Sequence, residues 1–182
     1  MATRTDWLDA GLTTLASQGA PALTIDRLAA GLGLSKGSFY HHFRGMPGFK
    51  AALLEHYEST FTSRYIDAVE DDPALAPADK LRRLLGLILD EHREDESGLE
   101  IAVRAWALQD PQVRDTLERV DATRMTYLRD VWFALTADAD ESQRMGRLLY
   151  VVLVGAEQVV PPVAAGDLRA MYDLVLRLAP PG

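Results

Sequence analysis

Apolar residues recur at intervals of three and four along almost the whole chain, and apolar–polar alternation nowhere persists, so the pattern predicts an all-α protein. A first helix is expected over residues 6–17, with Trp7, Leu8, Gly11, Leu12 and Leu15 on one face and Gly19 positioned to close it in a left-handed cap. Two short helices follow. Thr24 is a candidate N-cap for residues 25–32, and beyond Gly33-Leu34 a second cap, Ser35, opens 36–42. Pro47 suits the first turn of a long fourth helix, in which Phe49, Leu53, Tyr57, Phe61, Tyr65 and Val69 recur every four residues until Asp71-Asp72-Pro73 stops it. Further stripes run through 81–89 and 99–109, and through 113–135 behind Asp110-Pro111. Another spans 145–159 behind an Asp138/Glu141 capping-box spacing, and the last spans 168–178. The count comes to about nine helices.

The segment 24–43 has a sharper meaning. Two helices of about two turns each, joined at Gly33, have the proportions of a helix-turn-helix. The second is nearly free of acid; it displays Ser35, Lys36, Ser38, Tyr40, His41 and His42 while Phe39 and Phe43 point to a core. Such a helix fits a DNA major groove by its N-terminal end. The segment resembles the TetR family of bacterial repressors, on Gly19, Thr24, Leu28, Ala29, Gly33, Ser35-Lys36-Gly37-Ser38, Tyr40 and Phe43 at the family's spacing, within residues 1–50. The resemblance implies a DNA-contacting set of Thr24, Ser35, Lys36, Gly37, Ser38, Tyr40, His41 and His42. In that set Lys36 and Ser38 read bases, Tyr40 and Thr24 hold phosphates, and the two histidines serve as phosphate donors. Where the family usually opens its fourth helix with Lys, this chain has Met46-Pro47-Gly48, with Arg44 or Lys50 as substitutes for the phosphate contact. The implied organisation is a three-helix DNA-binding head over 1–46 and a helical regulatory and dimerisation body over 47–182, with the fourth helix as connector.

Charge first argues against nucleic acid, since the net is −8. Its distribution removes that objection. Residues 1–50 set Arg4, Arg27, Lys36, Arg44 and Lys50 against Asp6, Asp9 and Asp26, a balance of +2 that leaves −10 on the rest. With no cysteine, disulfides, thiolate metal sites and thiol nucleophiles are excluded. No paired-carboxylate spacing, nucleophile elbow, phosphate loop or zinc-protease motif is present, so no enzyme, metal or cofactor is expected. The start of the chain lacks the apolar core of a signal peptide, and no stretch approaches the ~20 apolar residues of a membrane span, which points to the cytoplasm.

Two surfaces complete the expectation. The apolar stripes of the last two helices, with small residues allowing close approach, suit a four-helix bundle in a homodimer; its candidates are Leu148, Val152, Gly155, Ala156, Val159, Leu168, Met171, Tyr172 and Val175. Such a dimer would set two recognition helices on a palindromic operator in double-stranded DNA. The family resemblance, with the apolar richness of 84–135, implies a small and mostly apolar effector. Trp106, Met125, Tyr127 and Trp132 are candidate walls, with Arg104 or His92 as polar anchor; aromatic and Met residues at this spacing equally serve a core. The function expected is a ligand-responsive repressor. The acidic body supports a rival reading, a helical carrier or protein adaptor without DNA function.

Overall fold

A computed structural model of the chain describes residues 2–90 and 98–178. The helices are α1 Arg4–Gln18, α2 Ile25–Leu32, α3 Lys36–His42, α4 Met46–Glu58, α5 Arg64–Glu70, α6 Pro77–Asp90, α7 Leu99–Ala107, α8 Pro111–Thr136, α9 Ala139–Gln158 and α10 Ala165–Leu176. A 3-10 turn, Ala20–Ala22, follows α1, and a π-helical turn, Ser59–Ser63, joins α4 to α5. Helical backbone therefore runs from 46 to 70, as the four-residue repeat predicts, but with an interruption. A four-residue repeat drifts by about 40° per step on a helix of 3.6 residues per turn, and the wider π turn takes back part of that drift. Among the described residues there is no strand, and no helix is long and apolar enough to cross a membrane.

Contacts divide the chain into two compact units. The first takes residues 2–61 with 98–118, the second 62–90 with 119–178. In the first, α1 begins at Arg4, two residues before the expected start, because Thr3 and Asp6 close a reciprocal capping box: the Asp6 N–H donates to Thr3 Oγ1 at 3.2 Å and the Thr3 N–H to Asp6 Oδ2 at 2.7 Å. Its buried face is Trp7, Leu8, Gly11, Leu12 and Leu15, the five residues the pattern marks. Gly11 lets α4 approach, since a Cβ there would lie 2.7 Å from Phe49 Cζ and 2.9 Å from Leu53 Cδ1. Gly19 ends the helix with positive φ (76°) but extended ψ (172°), so the left-handed cap is not formed; the chain leaves directly into the 3-10 turn. Trp7, Phe39, Phe43 and Phe49 form an aromatic core with ring centroids 5.1–5.5 Å apart along the contacts Trp7–Phe39, Phe39–Phe43, Phe39–Phe49 and Phe43–Phe49.

The second unit packs Leu81, Leu85, Leu128, Val131, Trp132, Leu149, Leu168 and Tyr172 into its own core. Helices α8 and α9 touch at Gly146, where a Cβ would lie 2.8 Å from the backbone nitrogen of Arg129. Asp138 caps α9 by accepting from the Glu141 N–H at 2.8 Å. The reciprocal half of the expected box is replaced, because Glu141 Oε1 accepts from the Trp132 indole at 3.2 Å and the Asp138 N–H donates to Thr136 Oγ1 at 3.3 Å.

Candidate nucleic-acid interface and accessory surfaces

Helix α2 opens on Thr24, whose Oγ1 accepts from the Arg27 N–H at 3.3 Å, and closes on Gly33 in the left-handed conformation (φ 64°, ψ 31°). That conformation is one L side chains rarely adopt, and it turns the chain so that the Leu34 N–H donates back to the Ala29 carbonyl at 2.9 Å. Ser35 then caps α3, accepting from the Ser38 N–H at 3.4 Å. Both cap hydroxyls act as acceptors toward the backbone and so keep their own O–H to donate outward, as a phosphate contact requires. Phe39 and Phe43 anchor α3 from below.

Above that anchor, Thr24, Ser35, Lys36, Gly37, Tyr40 and His41 are exposed, Ser38 is half-buried, and Tyr40 keeps 60% of its surface. These residues lie on α3, on its cap Ser35 and on Thr24, the cap of α2. His42 stands apart: its Nε2 is 3.2 Å from the Ala2 carbonyl oxygen, which ties it to the N-terminal segment. Arg44 is exposed just past the helix. Lys50 is engaged elsewhere, its ammonium 2.7 Å from Asp110 Oδ2, while Asp110 Oδ1 caps α8 by accepting from the N–H groups of Gln112 (3.0 Å) and Val113 (3.3 Å). Lys50 holds the Asp110 carboxyl below the usual carboxylate range, with those N–H groups adding to the effect. Lys36 is also paired. Its ammonium meets the carboxylate of Asp26, and that contact raises the lysine's pKa.

The effector candidates separate by unit. In the first, Trp106 lines a pocket of about 300 Å³ with Leu23, Met46, Pro47, Phe49, Lys50 and Gln112, small for a ligand site. Arg104 donates to Glu100 at 2.7 Å, and Glu100 also accepts from the Tyr57 hydroxyl at 2.6 Å. In the second, Trp132 is fully buried in the core, the alternative its spacing left open, with Met125 and Tyr127 packed against that core. Tyr127 donates to Glu70 at 2.7 Å, and burial together with Glu70 drives its pKa upward. His92 lies outside the described residues. A polar cluster that sequence reading missed sits in this unit: Arg124 Nε donates to Thr62 Oγ1 at 2.9 Å, Arg124 Nη1 to the Tyr150 hydroxyl at 3.3 Å, and that hydroxyl to Asp121 Oδ1 at 2.6 Å. Its signal was there, since Asp121 and Arg124 interrupt the stripe of Leu117, Val120 and Leu128 at helical spacing.

On α9 and α10, Leu148, Val159 and Met171 are exposed, and Val152, Gly155 and Val175 are half-buried. Ala156, Leu168 and Tyr172 are not on the outer face: they are buried in the unit's own core, with the Tyr172 hydroxyl donating to the Leu149 carbonyl at 2.8 Å. The exposed apolar set instead takes in Val151, Leu174 and Leu178. Residues 148–154 of α9 are apolar almost all round the helix, a sign that it needs a second partner besides its own core.

A tight turn between two short helices, an aromatic anchor beneath the second and a polar exposed surface above it define a helix-turn-helix domain of the DNA-binding class. Residues 8–57 match the model of the bacterial regulatory proteins of the tetR family. Over that segment the chain is similar to this family's N-terminal domain. It is 38% identical over 73 residues to the transcriptional regulator AcuR of Cereibacter sphaeroides, a match covering 40% of this chain and 33% of that protein, so it spans about a third of the relative's length. Among solved structures, the regulatory protein TetR from Rhodobacter sphaeroides is 22% identical with a TM-score of 0.79, covering 97% of this chain and 98% of that one. A protein described as a transcriptional regulator from Saccharomonospora viridis, solved in complex with choline, is 15% identical with a TM-score of 0.77, covering 96% and 95%. At these identities the likeness carries the fold alone.

Proposed function

We propose that the protein is a cytoplasmic transcriptional repressor that binds a palindromic operator as a homodimer and is released from it by a small, mostly apolar effector. The observation that carries the DNA-binding part is the exposed row Lys36, Gly37, Tyr40 and His41, held on the buried Phe39–Phe43 anchor, with the hydroxyl-bearing caps Thr24 and Ser35 opening α2 and α3. The contacting set is Thr24, Ser35, Lys36, Gly37, Ser38, Tyr40 and His41, with Arg44 replacing the phosphate contact that Met46 cannot make. Lys50 belongs to the Asp110 cap and drops out of that set. Support for the homodimer comes from the apolar side chains left exposed on α9 and α10. Support for an effector comes from the family and from the choline-bound neighbour, whose ligand is a property of that protein. The polar cluster around Arg124 adds an orienting group in the second unit.

The rival, a helical carrier or adaptor without DNA function, draws on the −10 carried by residues 51–182. Fluorescence anisotropy of a labelled duplex from the intergenic region upstream of the gene separates the two. A repressor binds it with an affinity that falls steeply and log-linearly with salt. A chain that leaves anisotropy unchanged at low salt, while competent to bind small molecules, would leave the carrier reading standing.

A further inference from the structure

Between Thr24 and Phe43 there is one carboxylate, Asp26, and one lysine, Lys36, and the structure brings them together. Asp26 is the second residue of α2 and Lys36 the first of α3, so the turn at Gly33 sets the two helix starts side by side. Both side chains are open to solvent, at 62% for Lys36 and 71% for Asp26, so the pair is not part of any core. Its worth to stability is small. Its position on the nucleic-acid face gives it another consequence: the recognition helix's one permanent positive charge is neutralised before DNA arrives. The segment's arginine, Arg27, donates to the Gln18 amide oxygen.

Resting on the DNA-binding reading, we propose that Asp26 is a specificity-determining residue, which holds Lys36 as a neutral donor–acceptor pair that a phosphate backbone cannot use and a G·C base pair can. Non-specific binding is electrostatic, and each lysine that neutralises a phosphate steepens the salt dependence by about 0.9. A lysine carrying its own carboxylate contributes little of this, and the carboxylate faces the phosphates with the wrong sign. At a G·C pair the same two groups match both bases, the ammonium donating to guanine O6 or N7 and the carboxylate accepting from cytosine N4. Asp26 thus lowers affinity for random DNA more than affinity for the operator.

The experiment compares wild type, Asp26→Asn, Asp26→Glu, Lys36→Met and the Asp26→Asn/Lys36→Met double variant. Each is titrated against a random-sequence 30-base-pair duplex over a salt series, and each is used to select sites from a random library. Asp26→Asn should bind random DNA about five- to tenfold tighter per subunit at 0.1 M salt, with a slope steeper by about 0.9 per subunit. It should also lose a G·C preference at one position of the half-site. Asp26→Glu keeps the charge and should retain the wild-type slope, and in the Lys36→Met background removal of the carboxylate should no longer steepen it. Equal slopes and equal selected sites for wild type and Asp26→Asn, in a wild type that binds DNA, overturn the role of Asp26 alone. The same steepening in both backgrounds also overturns it, since the effect would then be bulk charge. A wild type that binds no DNA at any salt overturns the underlying reading as well.

Discussion

Consider replacing both Val151 and Leu174 with Glu. These side chains project from α9 and α10 with 63% and 59% of their surface accessible, so the protomer loses almost none of its packing when they change. Fully burying a Val or Leu is worth about 1.5–3 kcal/mol. Covering the accessible part of these two on both subunits is therefore worth about 4–7 kcal/mol to a dimer, or about three to five orders of magnitude in its dissociation constant. Four carboxylates forced into an apolar interface add to the loss. Protomer stability should stay within about 0.5 kcal/mol of wild type, as for surface substitutions away from special features. Val152 and Val175 would be poor choices, since both pack against the unit's own core and their loss would confound folding with assembly. Size-exclusion chromatography with light scattering at micromolar concentration should show a wild-type dimer and a variant monomer with the same melting temperature, and operator binding should disappear with the dimer. A double variant that remains dimeric and binds operator normally would refute the assignment of this face.

On the DNA surface, Lys36→Ala should cost about 1–3 kcal/mol on the operator and relax preference at one position, whereas Tyr40→Phe should weaken binding evenly across sequences; anisotropy against a panel of single-base operator variants distinguishes them. Gly11→Ala pushes a methyl group to 2.7 Å from Phe49 and should destabilise by about 1–3 kcal/mol, read by thermal denaturation with the melting point falling. Asp110→Ala removes the α8 cap and the Lys50 partner and should cost about 1–2 kcal/mol at pH 7. Because the folded Asp110 pKa is depressed, its contribution is present above the unfolded value and fades as pH falls through the folded one; denaturant midpoints of wild type and variant should converge below about pH 4.

The DNA-binding head was legible because its signals are local. Caps at Thr24 and Ser35, the glycine at 33 and the aromatic spacing of Phe39 and Phe43 lie within a few residues of the backbone they shape, and each recurs in the structure in that role. What periodicity could not supply is pairing across the chain. Lys50 offered itself as a phosphate donor until Asp110, sixty residues on, took its charge. The four-residue repeat after Pro47 marked a helix but not its π turn, where Thr62 receives Arg124 across a separation of 62 residues. Faces of apolar helices suffer the same ambiguity. On α9 the pattern gives no direction because nearly every position of 148–154 is apolar, so Ala156 passed for interface surface and the exposed Val151 was not singled out.

The same distant polar pairs bear on how effector release could work. Hundredfold weakening of an operator complex needs about 2.7 kcal/mol of difference between two states of the protein. Apolar packing rearranges by many small contacts, whereas a charge-assisted hydrogen bond is either made or lost, and its loss is worth about 1.5–3 kcal/mol where the groups are partly buried. Each unit contains such links, and in each a basic side chain joins α8 or its cap to α4 or the turn that follows it. In the first, Lys50 near the start of α4 holds the cap of α8; in the second, Arg124 of α8 holds Thr62 in the π turn that follows α4. One link made in one state and broken in the other has the size the switch requires, and two would exceed it. The release proposed above would then ask for no wholesale repacking of either core, and for a hundredfold effect reciprocity would require operator DNA to weaken effector binding by the same factor.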